Sequence, residues 1–183
     1  MKRSPAREAR MLEAAQALFL ESGLRGATME AIAKRAGVAK PTLYAYFPDK
    51  EAMFRAVIAT VIERMKSAFE VALAHPGAPE DRVARALADK YGVADALLEG
   101  SPHAQELTSD QIVRTGAEFQ ALHAWMVGRI ADVLREAGRP DPEWRAQLVI
   151  DCCDGLMAKD EFAALGPKVA FVARRLLGEP QEG

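Results

Sequence analysis

The sequence predicts an all-α protein: three amino-terminal helices followed by a longer helical domain. Three observations carry that prediction. Proline and glycine divide the chain into helix lengths, the apolar residues inside each segment recur every three or four positions, and no stretch sustains β-branched alternation. Half of the 183 residues are apolar, enough to bury a core in one domain or two small ones.

The first helix is expected over roughly residues 5 to 22, with Leu12, Ala15 and Phe19 beside Met11, Ala14 and Leu18, and a stop at Ser22-Gly23. After "GLRGA", Thr28 is placed to cap the short helix "MEAIAKRA", whose first turn carries Glu30 where the helix dipole favours an acid. Its apolar face is Met29, Ile32, Ala33 and Ala36, and Gly37 ends it. Pro41 inside a helix would cost about 3 kcal/mol, whereas the first turn tolerates it, so a third helix starts near Lys40. In "KPTLYAYF", Leu43 and Phe47 share one side by an i, i+4 step and should face the core.

Asp49 caps a long fourth helix with the stripe Phe54, Ile58, Val61, Met65, Phe69 and Ala72, running to about His75-Pro76. Past the linker "HPGAP", Val83, Leu87 and Tyr91 mark a fifth helix. Between breaks at "EGSP" and "EAGRPDP", one long helix is expected over about 104 to 137, with Phe119, Leu122, Met126, Ile130 and Val133 or Leu134 on its stripe. The segment from Glu143 to about 163 is apolar on two faces: Trp144, Leu148, Cys152 and Leu156 on one, Val149, Cys153 and Met157 on the other. A last helix carries Val169, Val172 and Leu176.

Composition narrows the function. Charged residues make up 27%, and no apolar run approaches the roughly 18 residues of a membrane span. The opening "MKRSPAREARMLEAAQ" is basic but lacks the apolar stretch of about 7 to 15 residues that a secretory signal carries, so the cytoplasm is the expected location, with no membrane partner. The adjacent Cys152 and Cys153 form neither an ordinary mutual disulfide nor a CxxC clip. His75, His103 and His123 lack metal spacing, and Ser101, His103 and Glu106 occur without the G-x-S-x-G elbow of a hydrolase, so no metal, cofactor or enzymatic activity is expected. Residues 1 to 55 hold ten Lys/Arg against six Asp/Glu, a net +4, while the remainder holds fourteen against twenty, a net −6. The basic amino end is compatible with a polyanionic partner and equally with a solvated helix face.

Two short helices joined by "AGVA" and braced by a preceding helix make a helix-turn-helix, whose second helix enters the DNA major groove. Thr42 and Tyr44 then lie outward, where hydroxyls reach phosphates or base edges and the rings of Pro41 and Tyr44 meet thymine methyls. Lys40 and Lys50 flank the helix as phosphate contacts. Taken alone, "YAY" reads as well as a pair of half-buried packing rings.

Residues 10 to 57, "RMLEAAQALFLESGLRGATMEAIAKRAGVAKPTLYAYFPDKEAMFRAV", resemble the amino-terminal DNA-binding domain of the TetR (tetracycline-repressor-like) transcriptional regulators. The resemblance covers about a quarter of the chain and lies in "AAQALFLESG", "IAKRAGV" and "TLYAYFPDKE". It implies that Thr28, Lys40, Tyr44, Tyr46 and Lys50 contact phosphate, with Pro41, Thr42, Tyr44 and Ala45 nearest the bases. Ala39 stands where many members have a capping serine, and the short Ala45 limits base reading there to methyl contact. The implied organisation is a DNA-binding domain over residues 1–52 and a helical ligand-binding and dimerisation domain over 53–183, pairing through the last two helices.

The expected function is a dimeric transcriptional regulator, a repressor, that binds a palindromic operator on double-stranded DNA and is released by a small-molecule effector. Met65, Phe69, Tyr91, Phe119, Gln120, His123 and Met126, with Trp125, are candidates to surround that effector, His123 and Gln120 as its polar contacts. A packed core has the same apolar pattern as a pocket wall. The alternative is a helix-turn-helix protein for DNA or protein contact without an effector.

Overall fold

The computed structural model describes residues 4–109, 116–157 and 165–178, and is all-helical within them. The helices are α1 (Pro5–Gly26), α2 (Met29–Arg35), α3 (Lys40–Tyr46), α4 (Lys50–Leu73), α5 (Pro79–Leu98), α6 (Ala104–Ser109), α7 (Ala117–Glu136), α8 (Pro142–Met157) and α9 (Leu165–Leu177). The chain forms two compact units, one of residues 1–61 and 98–116, the other of residues 62–97 and 117–183. α4 is unbroken and contributes residues to both.

In the first unit α1 packs on α2 and on α6, and α2 packs on α3. Met11, Ala15 and Phe19 of α1, Ile32 of α2, Leu43 and Phe47 at α3, and Met53, Phe54 and Val57 of α4 form one buried cluster. The Phe19 and Phe54 rings meet edge to face at 5.3 Å, a geometry that adds to the gain from burying both. The local signals act as their chemistry dictates. The Thr28 hydroxyl oxygen accepts the Ala31 N–H at 3.1 Å, and an Asp49 carboxylate oxygen accepts the Ala52 N–H at 2.7 Å, capping α2 and α4. Ala39 caps α3 through its backbone carbonyl, which accepts from Thr42 and Leu43, with no side-chain cap.

The first helix breaks at the glycine where the sequence puts its stop, and a last short turn to Gly26 follows. Gly23 leaves helical geometry at φ 69° and ψ 173°, a region essentially restricted to glycine. A Cβ built there would lie 2.6 Å from Glu106 Oε2 and 2.9 Å from His103 Nδ1. Gly23→Ala is therefore expected to cost about 1–3 kcal/mol in backbone strain, and each kcal/mol lowers Tm by roughly 2–4 °C in a chain of this size. Scanning calorimetry checks it; an unchanged Tm would mean that α1 can end another way.

The expected helix over about 104 to 137 is not one helix. α6 ends at Ser109 and α7 begins at Ala117, with Gly116 outside either and residues 110–115 outside the described set. The two pieces serve different cores: Leu107 of α6 is buried in the first unit's cluster, while α7 packs against α8 in the second. Ser101 donates its hydroxyl to the Leu20 carbonyl of α1 at 2.7 Å, tying the segment before α6 to the end of the first helix.

In the second unit α8 packs between α7 and α9. Phe69 of α4 meets Trp125 of α7 at 5.4 Å, and Arg129 forks onto Glu70 with N–O distances of 2.5 and 3.0 Å, holding that carboxyl below its ordinary range. α8 buries Ala146, Val149, Ile150 and Cys153, leaving the stripe of Trp144, Leu148, Cys152 and Leu156 exposed or half-buried. Met157, expected on the buried face, has no described side chain. No helix among the described residues is long and apolar enough to cross a membrane.

Candidate nucleic-acid interface

α3 has two chemically distinct sides. Leu43, Tyr46 and the following Phe47 are buried, whereas Pro41, Ala45 and Tyr44 are exposed and Thr42 is half-buried. The i, i+3 and i, i+4 steps from Pro41 put Pro41, Tyr44 and Ala45 on one face. A large aromatic ring left 39% exposed at Tyr44, beside a proline ring and a methyl, offers apolar contact to thymine methyls, and its hydroxyl can bond a phosphate or base edge.

Lys40, the first residue of α3, pairs with the Glu30 carboxylate of α2 and lies 5.8 Å from the Tyr44 ring centroid. Hydrogen bonding to Glu30 raises the Lys40 ammonium above its ordinary range and lowers the Glu30 carboxyl. Both side chains are exposed, so the pair exchanges cheaply for a phosphate. Thr28 spends an oxygen lone pair on capping α2 and keeps its O–H for donation outward.

Two expected contacts have structural work the sequence did not suggest. Tyr46 is only 5% exposed, and its hydroxyl accepts the Ser4 N–H at 2.8 Å, fastening the start of α1 to the end of α3. The reason is spacing: Tyr46 lies three residues past Leu43, on the side that faces the core. The Lys50 ammonium donates to the carbonyls of Ala27 at 3.0 Å and Arg25 at 3.3 Å, bridging α4 to the turn before α2.

The residues expected around an effector lie in the second unit but differ in exposure. Met65, Phe69, Tyr91 and Met126 are buried, Phe119 and His123 half-buried, and Gln120 exposed near the start of α7. His123 Nδ1 lies 3.2 Å from Asp154 Oδ2, its Nε2 lies 2.9 Å from Gln147 Nε2, and the Tyr91 hydroxyl donates to Asp154 Oδ1 at 3.4 Å. The sequence reading missed Lys90, the residue beside Tyr91. It is buried, and its position three residues after Leu87 and four before Ala94 was the available signal. Burial lowers its ammonium to about 8 and pushes the Cys153 thiol up to about 12.

Three amino-terminal helices, the third burying one side and exposing the other, have the geometry of a helix-turn-helix. Residues 11–57 match the family model described as bacterial regulatory proteins, tetR family. That match covers about a quarter of the chain, its amino-terminal head. The HTH-type transcriptional regulator EthR of Mycolicibacterium smegmatis is 35% identical over 82 residues, which is 44% of this chain and 38% of that protein. YhgD of Bacillus subtilis, an uncharacterized HTH-type transcriptional regulator, is 37% identical over 78 residues, 42% of this chain and 40% of that protein. The matched stretch thus spans about two-fifths of the length of these relatives. Solved structures share the whole fold: a transcriptional regulator from Cytophaga hutchinsonii superposes with TM-score 0.75 at 22% identity over 91% of this chain and 94% of that one. A TetR-like transcriptional regulator from Rhodococcus sp. RHA1 gives 0.61 at 24% identity over 98% and 100%.

Proposed function

We propose that this protein is a cytoplasmic, effector-responsive transcriptional repressor that binds a palindromic operator as a homodimer and catalyses no reaction. The observation that carries this reading is the outward face of α3, where Pro41, Thr42, Tyr44 and Ala45 are presented by a helix pinned from behind by Leu43 and Phe47. Residues 1–52 supply the DNA-binding head, with Thr28, Lys40 and Lys50 on flanking phosphates. Residues 53–183 supply effector binding and dimerisation.

Dimerisation is supported by an apolar surface that a single chain leaves to water: Trp144 of α8 is 65% exposed and Phe171 of α9 is 61% exposed. Pairing α8 and α9 across a two-fold axis buries such a surface in a symmetric, self-complementary contact. Operator binding demands two recognition helices about 34 Å apart, one turn of DNA. An effector that shifts α4, which enters the head directly, changes that spacing; a preference of about 1–3 kcal/mol between the two states gives roughly 5- to 150-fold coupling.

The test titrates the protein against DNA from upstream of its own gene at several salt concentrations. A specific complex with a steep salt slope is expected, and sequence-independent binding would refute the reading. A screen for small molecules that raise Tm and release that DNA tests the effector. Trp144→Asp is expected to convert the dimer to monomer in sedimentation equilibrium and to weaken operator binding with it; a dimer of unchanged strength would move the interface elsewhere.

A further inference from the structure

Lys90 is a charged side chain buried in the second unit, with 5% of the residue's surface exposed. It lies on the same side of α5 as Ala86, Leu87 and Ala94, all buried. Among the described residues it makes no ion pair; its ammonium sits 3.6 Å from the centroid of the Tyr91 ring. A cation–π contact offsets only part of the cost of removing a charge from water. The nearest candidate counter-ion has other partners: Asp154 accepts from Tyr91 and lies against His123. A methionine would fill a similar volume without the desolvation cost, so packing alone gives no reason for a lysine here.

We propose that Lys90 is the anchor of the effector site, and that the effector is a small molecule with a carboxylate or similar monoanionic head on an apolar body. This rests on the effector-responsive reading above and names the ligand class for it. The ammonium supplies the charge-assisted hydrogen bond that fixes the anionic head. The buried apolar residues on its side of α5, Ala86, Leu87 and Ala94, suit an apolar body, and Asp154, which faces Lys90, reaches water beside the half-buried His123 and the exposed Gln147.

The proposal makes pH part of its test. The groups facing Lys90 are Tyr91 on its own helix and Cys153 and Asp154 on α8. Burial holds the Cys153 thiol up to about 12 and pushes the Tyr91 phenol up as well, so neither loses its proton where Lys90 does, at about 8. Anion affinity should therefore be flat up to about pH 8 and fall roughly tenfold per unit above it.

The experiment compares octanoate with octanamide, and 4-phenylbutyrate with 4-phenylbutyramide, by calorimetric titration and thermal shift on the whole protein, wild type and Lys90→Met. The acids are expected to bind the wild type at least 10-fold more tightly than the amides, and Lys90→Met to erase that difference while raising the unliganded Tm. Three results would overturn the proposal: amides binding as well as acids, no acid binding at millimolar concentration, or a Lys90→Met variant with lower Tm, which would make Lys90 a structural partner of Asp154. Failure of Lys90→Met to fold likewise makes Lys90 structural and removes it as the anchor, while the acid–amide comparison on the wild type, which needs no variant, still decides the ligand class. Operator release is read separately: acids that bind at Lys90 without releasing DNA sink the regulator reading and leave the anion site standing.

Discussion

Tyr44→Ala is expected to remove specific operator binding while leaving the fold intact. The side chain is 39% exposed and lies outside the buried cluster of the head, so its truncation opens no cavity. On DNA, losing one base or methyl contact costs about 1–3 kcal/mol, and a symmetric dimer loses it twice, about 2–6 kcal/mol in total or roughly 30-fold to more than 10⁴-fold in affinity. Fluorescence anisotropy on an operator fragment, with circular dichroism to confirm helicity, measures both halves of the prediction. Tyr44→Phe separates ring from hydroxyl: unchanged affinity assigns the effect to apolar contact alone. Wild-type affinity in Tyr44→Ala would mean that α3 does not read the groove with this face.

One residue earlier, Leu43→Ala should have the opposite profile. Leu43 is fully buried against α1, α2 and α4. Truncating a leucine in such a position costs about 2–5 kcal/mol, combining lost transfer energy with the cavity left behind. A lower Tm is expected by thermal melting, and DNA affinity should recover at temperatures where the variant is fully folded. A Leu43→Ala protein as stable as wild type would show that the head does not need this residue to hold α3. Adjacent positions on one seven-residue helix thus divide between building the probe and using it.

The head was legible because its signals are local. Thr28, Asp49, Pro41, Gly23 and Gly37 each act within a turn of where they stand, and the structure places every cap and stop of the first four helices within a few residues of its sequence-based position. The Leu43/Phe47 step was equally readable, since the helical period alone separates the two sides of α3. Residues with long-range partners were not. Nothing in "TLYAYF" says that the Tyr46 hydroxyl will meet the Ser4 N–H, 42 residues earlier, or that Lys50 will turn toward the carbonyls of Arg25 and Ala27. A lysine between Asp89 and Tyr91 reads as a solvated side chain, and only its tertiary surroundings bury it.

The sequence by itself therefore determined the helical class, the helix-turn-helix and the outward side of its third helix, because periodicity, capping and proline geometry are set by neighbours within four residues. Tertiary structure alone decided that the expected helix over about 104 to 137 divides between two cores, that Tyr46 and Lys50 have inward partners, and that one lysine is drawn out of water. Each of those outcomes depends on which segments, distant in the chain, come to share a surface, and a desolvated charge or a long-range hydrogen bond exists only once they do.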